Sequence, residues 1–200
     1  MKHIYMPTDF RISDALPADL LGIEALRRSE SSALGFIPKS LFESIVNKTL
    51  LYGRSRWKYT TVLACYDNDD LTGYALAGLY QRTRMLNVFQ IVVRSDARRW
   101  FRALRLIDTL TAEAVCRGLQ HAKARVAADL EANLFWRAIG WTPSEILTST
   151  WLNQRESHSK RPIIVYRRVL SAPTEITVPR SLLGEYPDGL REQNVPRIVL

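Results

Sequence analysis

Two stretches of this 200-residue chain concentrate arginine. Arg94, Arg98, Arg99, Arg102 and Arg105 stand against Asp96 alone, and Arg155, Lys160, Arg161, Arg167 and Arg168 stand against Glu156 alone. A guanidinium is a planar fork that pairs bidentately with phosphate oxygens, so phosphorylated ligands or nucleic acid are the expected partners. A solvated basic surface is the ordinary alternative. The first stretch has a further property. Ile91-Val92-Val93 reads as the end of a strand, residues 94–99 as a turn, and a helix begins near residues 99–102. A helix N-terminus presents unpaired N–H groups and a partial positive charge, a construction suited to a pyrophosphate.

Such groups need a scaffold, and apolar periodicity outlines one. Residues 10–14 alternate in polarity as a strand. Pro17 suits a first helical turn, and Leu20, Leu21, Ile23 and Leu26 form one face of a helix reaching about Arg28. A loop covers 29–35. Pro38 opens a second helix with Leu41, Phe42, Ile45, Val46 and Leu50 inward, closed by Gly53. Strands follow over 61–66, 71–80 and 85–93. Asp67-Asn68-Asp69-Asp70 makes the first turn, and Gly73 and Gly78 mark bulges or close backbone approach. A long helix over about 99–118, a buried strand over 122–128 and a helix over 130–139 stopped by Gly140 come next. Strands over 145–153 and 163–170 close the body. The order β-α-α-β-β-β-α-β-α-β-β predicts an α/β fold with a mixed sheet and helices on both faces. Beyond Ser171, Pro173, Pro179, Pro187 and Pro196 interrupt a segment of little periodicity. An extended tail over 171–200 is expected, wrapping the 1–170 body or packing on a partner chain.

Composition narrows the classes. Hydrophobic residues make 46% of the chain, enough for a core, so a wholly disordered protein is excluded. No apolar run approaches the length of a membrane span, and the N-terminus lacks a signal peptide's apolar segment. Cys65 and Cys116 form no CxxC pair and are expected to be free thiols in a reducing cytoplasm. His3, His121 and His158 are scattered, so no metal is expected. The formal net charge is +8, and its excess lies in the body rather than the tail.

The element order over 10–170, with two local motifs, resembles the GNAT superfamily of acyl-CoA-dependent N-acyltransferases. The family's Arg/Gln-x-x-Gly-x-Gly/Ala run, at the start of its long helix, is similar to Arg98-Arg99-Trp100-Phe101-Arg102-Ala103. Arg98 and Ala103 match, and Phe101 replaces a glycine that lets phosphate approach the backbone. The second motif, Asn-x-x-Ala-x-x-Phe-Tyr before Gly-Phe, is similar to residues 129–141. Ala132, Phe135 and Gly140 match there, Trp141 replaces the aromatic, Asp129 stands at the Asn position and Trp136 at the Tyr position.

The resemblance implies a largely antiparallel, centrally splayed sheet and direct acyl transfer from acetyl-CoA or another acyl-CoA. The pantetheine arm would pair with backbone groups of Ile91 and Val93, and the pyrophosphate would meet Arg98, Arg99, Phe101, Arg102 and Ala103. An attacking amine must lose a proton. Glu30, Asp129 and Glu131 are candidate bases, and Gln90 a candidate for orienting water. Each carboxylate has the ordinary alternative of a surface charge or cap, and Asp129 is placed to cap the helix after it. Trp136 could position the thioester sulfur, but an indole N–H is a donor only and cannot serve as a general acid. Tyr74 and Tyr80 could donate, although sheet packing is their ordinary role. The acceptor is open among a small amine, a protein amine and a nucleic-acid base. Arg155, Lys160, Arg161, Arg167 and Arg168, with Trp100, Trp136, Trp141 and Trp151, suit a nucleic acid. The run Lys160-Arg161-Pro162-Ile163-Ile164-Val165-Tyr166 also resembles phage-encoded, Mom-type DNA-modifying members. A GNAT-fold nucleic-acid-binding or interaction module without transferase activity is the alternative.

Overall fold

The computed structural model describes residues 9–31, 33–35, 37–49, 59–148 and 161–170. The expected closing of the second helix by Gly53, the tail over 171–200, and Trp151, Arg155 and Lys160 lie outside them. The described residues form seven strands and four α-helices, an α/β architecture, and the chain divides into two compact units, Met1–Leu119 and Gln120–Leu200.

The first unit is an antiparallel meander with helices. It comprises β1 (Phe10–Asp14), α1 (Leu20–Ser29), α2 (Lys39–Val46), β2 (Thr60–Asp67), β3 (Asp70–Tyr80), β4 (Met85–Val93) and α3 (Arg102–Cys116). Each strand pairs with the next. Alternation sends Val62, Ala64, Tyr66, Tyr74, Leu76 and Val92 to one face, where they meet Ile23, Leu26, Phe42 and Val46 of α1 and α2. Helix α3 packs on β3 and β4. With helices against it, β3 is buried from Thr72 to Leu79, so its residues read as one apolar run rather than an alternation. Each large side chain so buried contributes about 1.5–3 kcal/mol. Asn68 takes φ 53 in the β2–β3 turn, a conformation that asparagine tolerates. Gly73 is required where it stands, because a Cβ there would lie 2.8 Å from the Val92 carbonyl oxygen. The β3–β4 ladder slips between Leu76 and Ala77, leaving Phe89 as the extra residue of a bulge.

The second unit contains β5 (His121–Ala127), α4 (Ala132–Ala138), β6 (Thr142–Thr148) and β7 (Pro162–Val169). Strand β7 lies between β5 and β6 and is antiparallel to both. Gly140, at φ 79, ends α4 as the sequence led us to expect.

Several boundaries differ from expectation. Helix α3 starts at Arg102 rather than 99, because Ser95–Trp100 forms a 3-10 turn and Phe101 is left-handed, at φ 57. Helix α2 ends at Val46 rather than running past Leu50. Strand β6 begins at Thr142, three residues early.

Both cysteines are free, Cys65 buried and Cys116 exposed. Burial pushes the Cys65 thiol up, which lowers its thiolate fraction further. Iodoacetamide is therefore expected to label Cys116 in the native protein and Cys65 only after denaturation. Peptide mass spectrometry reads the order of labelling, and equal native rates would contradict this packing.

Candidate active site

In the first unit a 3-10 turn joins β4 to α3 at the place where the sequence reading expected a phosphate. The first hydrogen bond within α3 runs from the Arg105 N–H to the Phe101 carbonyl, at 2.9 Å. No side chain caps the helix. The amides of Arg102, Ala103 and Leu104 thus lack helical acceptors, as at any helix start. Phe101 stands at the N-cap in a left-handed conformation that costs a non-glycine residue about 1–2 kcal/mol. The glycine of the GNAT motif would adopt it freely.

The basic stretch around this turn is largely neutralised by acids from distant parts of the chain. Arg94 pairs with Asp70 at 2.7 Å and Asp96 at 2.8 Å. Arg98, half-exposed, pairs with Glu30 and donates from Nε to the Val93 carbonyl at 3.1 Å. Arg102 corrects the expectation most clearly. Its side chain is only 4% exposed and grips Asp67 at the end of β2, with Nε to Oδ1 at 3.0 Å and Nη1 to the Ala97 carbonyl at 2.7 Å. Its guanidinium serves the fold rather than a phosphate at the surface. The backbone of Arg99 lies in the 3-10 turn, Ala103 is the second residue of α3, and Ile91 and Val93 end β4.

Glu30 and Arg98 are therefore brought together, the candidate base against the candidate phosphate ligand. Gln90 is buried and committed at both ends. Its Oε1 accepts from the Tyr74 hydroxyl at 2.9 Å, and its Nε2 donates to the Gly35 carbonyl at 2.8 Å. Gln90 thus ties the α1–α2 loop to β4 instead of facing open water. Arg27 holds the same loop through the Ile37 carbonyl at 3.3 Å. Tyr74 is fully buried, edge-on to Phe42 at 5.7 Å, and burial holds its phenol far above the usual range.

In the second unit Asp129 does not cap α4. Glu131 occupies that place, and Asp129 instead takes Arg161 bidentately at 2.7 and 2.9 Å. Arg161 holds the Asp129 carboxyl below its ordinary range, which weakens it as a base. Trp136 is buried edge-on to Trp141 (centroids 4.7 Å apart) and stacked on Tyr166 at 6.3 Å, so it belongs to an aromatic core. A residue that the sequence reading missed organises this region. Buried Asn133 donates from Nδ2 to the carbonyls of Ala127, Ala128 and Leu130 at 2.8, 3.2 and 2.7 Å, and its Oδ1 accepts from the Tyr166 hydroxyl at 3.1 Å. Only its place one residue after the matched Ala132 hinted at this.

The second basic cluster is divided in the same way. Arg161 is paired with Asp129, and Arg167 binds Glu145 and Ser144 at 3.0 and 3.1 Å. Arg168 follows Arg167 on β7 and so faces the other side of the sheet. Among the described residues no group of His, Cys, Asp and Glu could hold a metal ion. No described helix is long and apolar enough to cross a membrane.

No family model matches the sequence, and no curated protein matches it. Solved structures do match. An N-acetyltransferase from Staphylococcus aureus aligns with 82% of this chain and all of its own, at a TM-score of 0.65 and 18% identity. The ribosomal-protein-S18-alanine N-acetyltransferase from Escherichia coli aligns over 82% of this chain and 95% of its own, at 0.61 and 18%. An acetyltransferase of the GNAT family from Desulfovibrio desulfuricans aligns over 82% of this chain and all of its own, at 0.64 and 16%. At these identities the likeness speaks for architecture alone: the chain has the fold of the GNAT acetyltransferases.

Proposed function

We propose that the protein is an acyl-CoA-dependent N-acyltransferase, moving an acetyl or related acyl group to an amine. The carrying observation is the uncapped start of α3, preceded by Arg98 and containing Ala103 at the motif spacing, in a chain with the acetyltransferase fold. The diphosphate of an acyl-CoA suits this turn in charge, since three amides there lack helical acceptors and the half-exposed Arg98 stands just before them. The end of β4, at Ile91 and Val93, would receive the pantetheine arm. Glu30 is the candidate base of the first unit, and an anion competing for Arg98 would free its carboxylate to accept a proton from the amine. Gln90 is a positioning residue that holds the α1–α2 loop. Trp136 supplies no proton, so the departing thiolate takes one from water.

A second reading is favoured by Phe101 and Trp136, which replace the motif's glycine and tyrosine: a module of the same fold without transfer activity. Acyl-CoA binding separates the two. A ligand that binds only the folded state raises the melting temperature. Acetyl-CoA is expected to do so, and Arg98→Ala is expected to weaken calorimetric affinity by about 1–2 kcal/mol, the scale of a charge-assisted contact. A wild-type protein that neither shifts with acetyl-CoA nor binds CoA would favour the module.

A further inference from the structure

Strand alternation sorts the cations of the second unit by face. Lys123 lies directly opposite Arg167 in the β5–β7 ladder, and His121 and Arg125 flank Lys123 at spacing two. All four therefore point to one side of the sheet. The other side carries Ala122, Ala124 and Tyr166, and Tyr166 stacks there on Trp136 of α4. His121, Arg125 and Arg167 are exposed, and Lys123 is half-buried. Among the described residues the one acid on this face that engages them is Glu145, which holds Arg167 at 3.0 Å. Among the described residues Lys123 and Arg125 form no ion pair. Burial, then Arg125 and Arg167, pulls the Lys123 ammonium below its ordinary range, so the like charges act on one another. Opposed like charges destabilise a ladder. An anion laid across them removes that cost.

We infer that the face of the second unit's sheet carrying Lys123, Arg125 and Arg167 binds the phosphate backbone of double-stranded nucleic acid. Cations two residues apart on a strand stand about 6.7 Å apart, a repeat suited to successive phosphates along an extended backbone. Ile163, Val169 and Leu147 on this face are aliphatic, so among the described residues no ring is placed to stack on bases. Recognition is of charge rather than sequence, and duplex, with its higher charge density, binds more tightly than a single strand. The surface was not legible as a patch, since among the described residues the conspicuous run 155–168 contributes only Arg167 to it. It deepens the transferase reading by naming the acceptor's class, but the binding itself does not depend on acyl transfer.

Fluorescence anisotropy with a labelled 20-base-pair duplex tests this. Three phosphate contacts give a log–log salt slope of about −2.7, or a roughly 40-fold loss of affinity between 50 and 200 mM salt. Lys123→Glu with Arg125→Glu is expected to bring the slope to about −0.9. Arg137→Glu, at an exposed cation on α4, is expected to leave it unchanged. Circular dichroism checks that each variant folds. No wild-type binding at 50 mM salt, an equal effect of Arg137→Glu, or equally tight binding of a poly-glutamate peptide would each overturn the inference. Acetyl-CoA titration of the same variants is expected to match wild type. Loss of acetyl-CoA binding in wild type with duplex binding intact would defeat the transferase reading and leave this surface standing.

Discussion

Arg102→Ala is expected to lose about 3–5 kcal/mol of stability, the usual consequence of removing one partner of a buried ion pair. For a chain of this size that is a fall in melting temperature on the order of 10 °C. The cause is what the substitution leaves behind. Asp67 is only 16% exposed, and without the guanidinium its charge has no counterpart in a region of low dielectric. The Ala97 carbonyl loses its donor at the same time. The double variant Asp67→Asn, Arg102→Met removes both charges, and it is expected to regain much of the loss because neither partner is stranded. Thermal unfolding of the three proteins decides it. A single variant as stable as wild type would show that Arg102 does not bind Asp67, and would return it to the list of phosphate ligands.

Asn133→Asp is expected to be comparably damaging at neutral pH and much less so in mild acid. The amide now donates to three carbonyl oxygens, and a carboxylate would face them with lone pairs only. The uncompensated buried charge costs about 3–5 kcal/mol. Burial and the carbonyl dipoles raise the new carboxyl's folded-state pKa above its unfolded value of about 3.9. The folded state then binds more protons than the unfolded state, so stability falls as pH rises through that interval. Below it the acid is protonated in both states and can again donate one hydrogen bond. Urea denaturation at pH 4.5 and pH 7.5 should show the larger deficit at pH 7.5. Asn133→Ala carries no charge, and its deficit should be the same at both. An Asp variant with no pH dependence would place this side chain in solvent.

Local pattern made the scaffold readable and left the electrostatics unread. The bounds expected for β1 and β4 coincide with those observed, because turn residues and apolar periodicity both act within a few residues. Phe101 displaced the start of α3, since nothing in an aromatic side chain announces a positive φ. The arginines show the stronger limit. Asp96 is the one acid inside their run, yet Arg94, Arg98 and Arg102 are matched by Asp70, Glu30 and Asp67, brought from 24 to 68 residues away by the meander and by α1. A charge cluster counted along the chain measures local composition, and the fold decides which of its members remain available. Gln90 shows the same limit. Its type suggested water, while Gly35, 55 residues away, determines what its amide meets.

The placement of β7 has a consequence for synthesis. In the first unit each of β2, β3 and β4 finds a partner in the strand before it, so pairing can proceed as the chain emerges from the ribosome. The second unit cannot do this. Its middle strand, Pro162–Val169, is the last made of its described strands, and until then β5 and β6 each present an open edge, one rich in cations and the other bearing the exposed Ile146. A nascent chain stalled before residue 161 leaves the edges that β7 would fill open on both strands, the state in which edge-to-edge association with another chain is easiest.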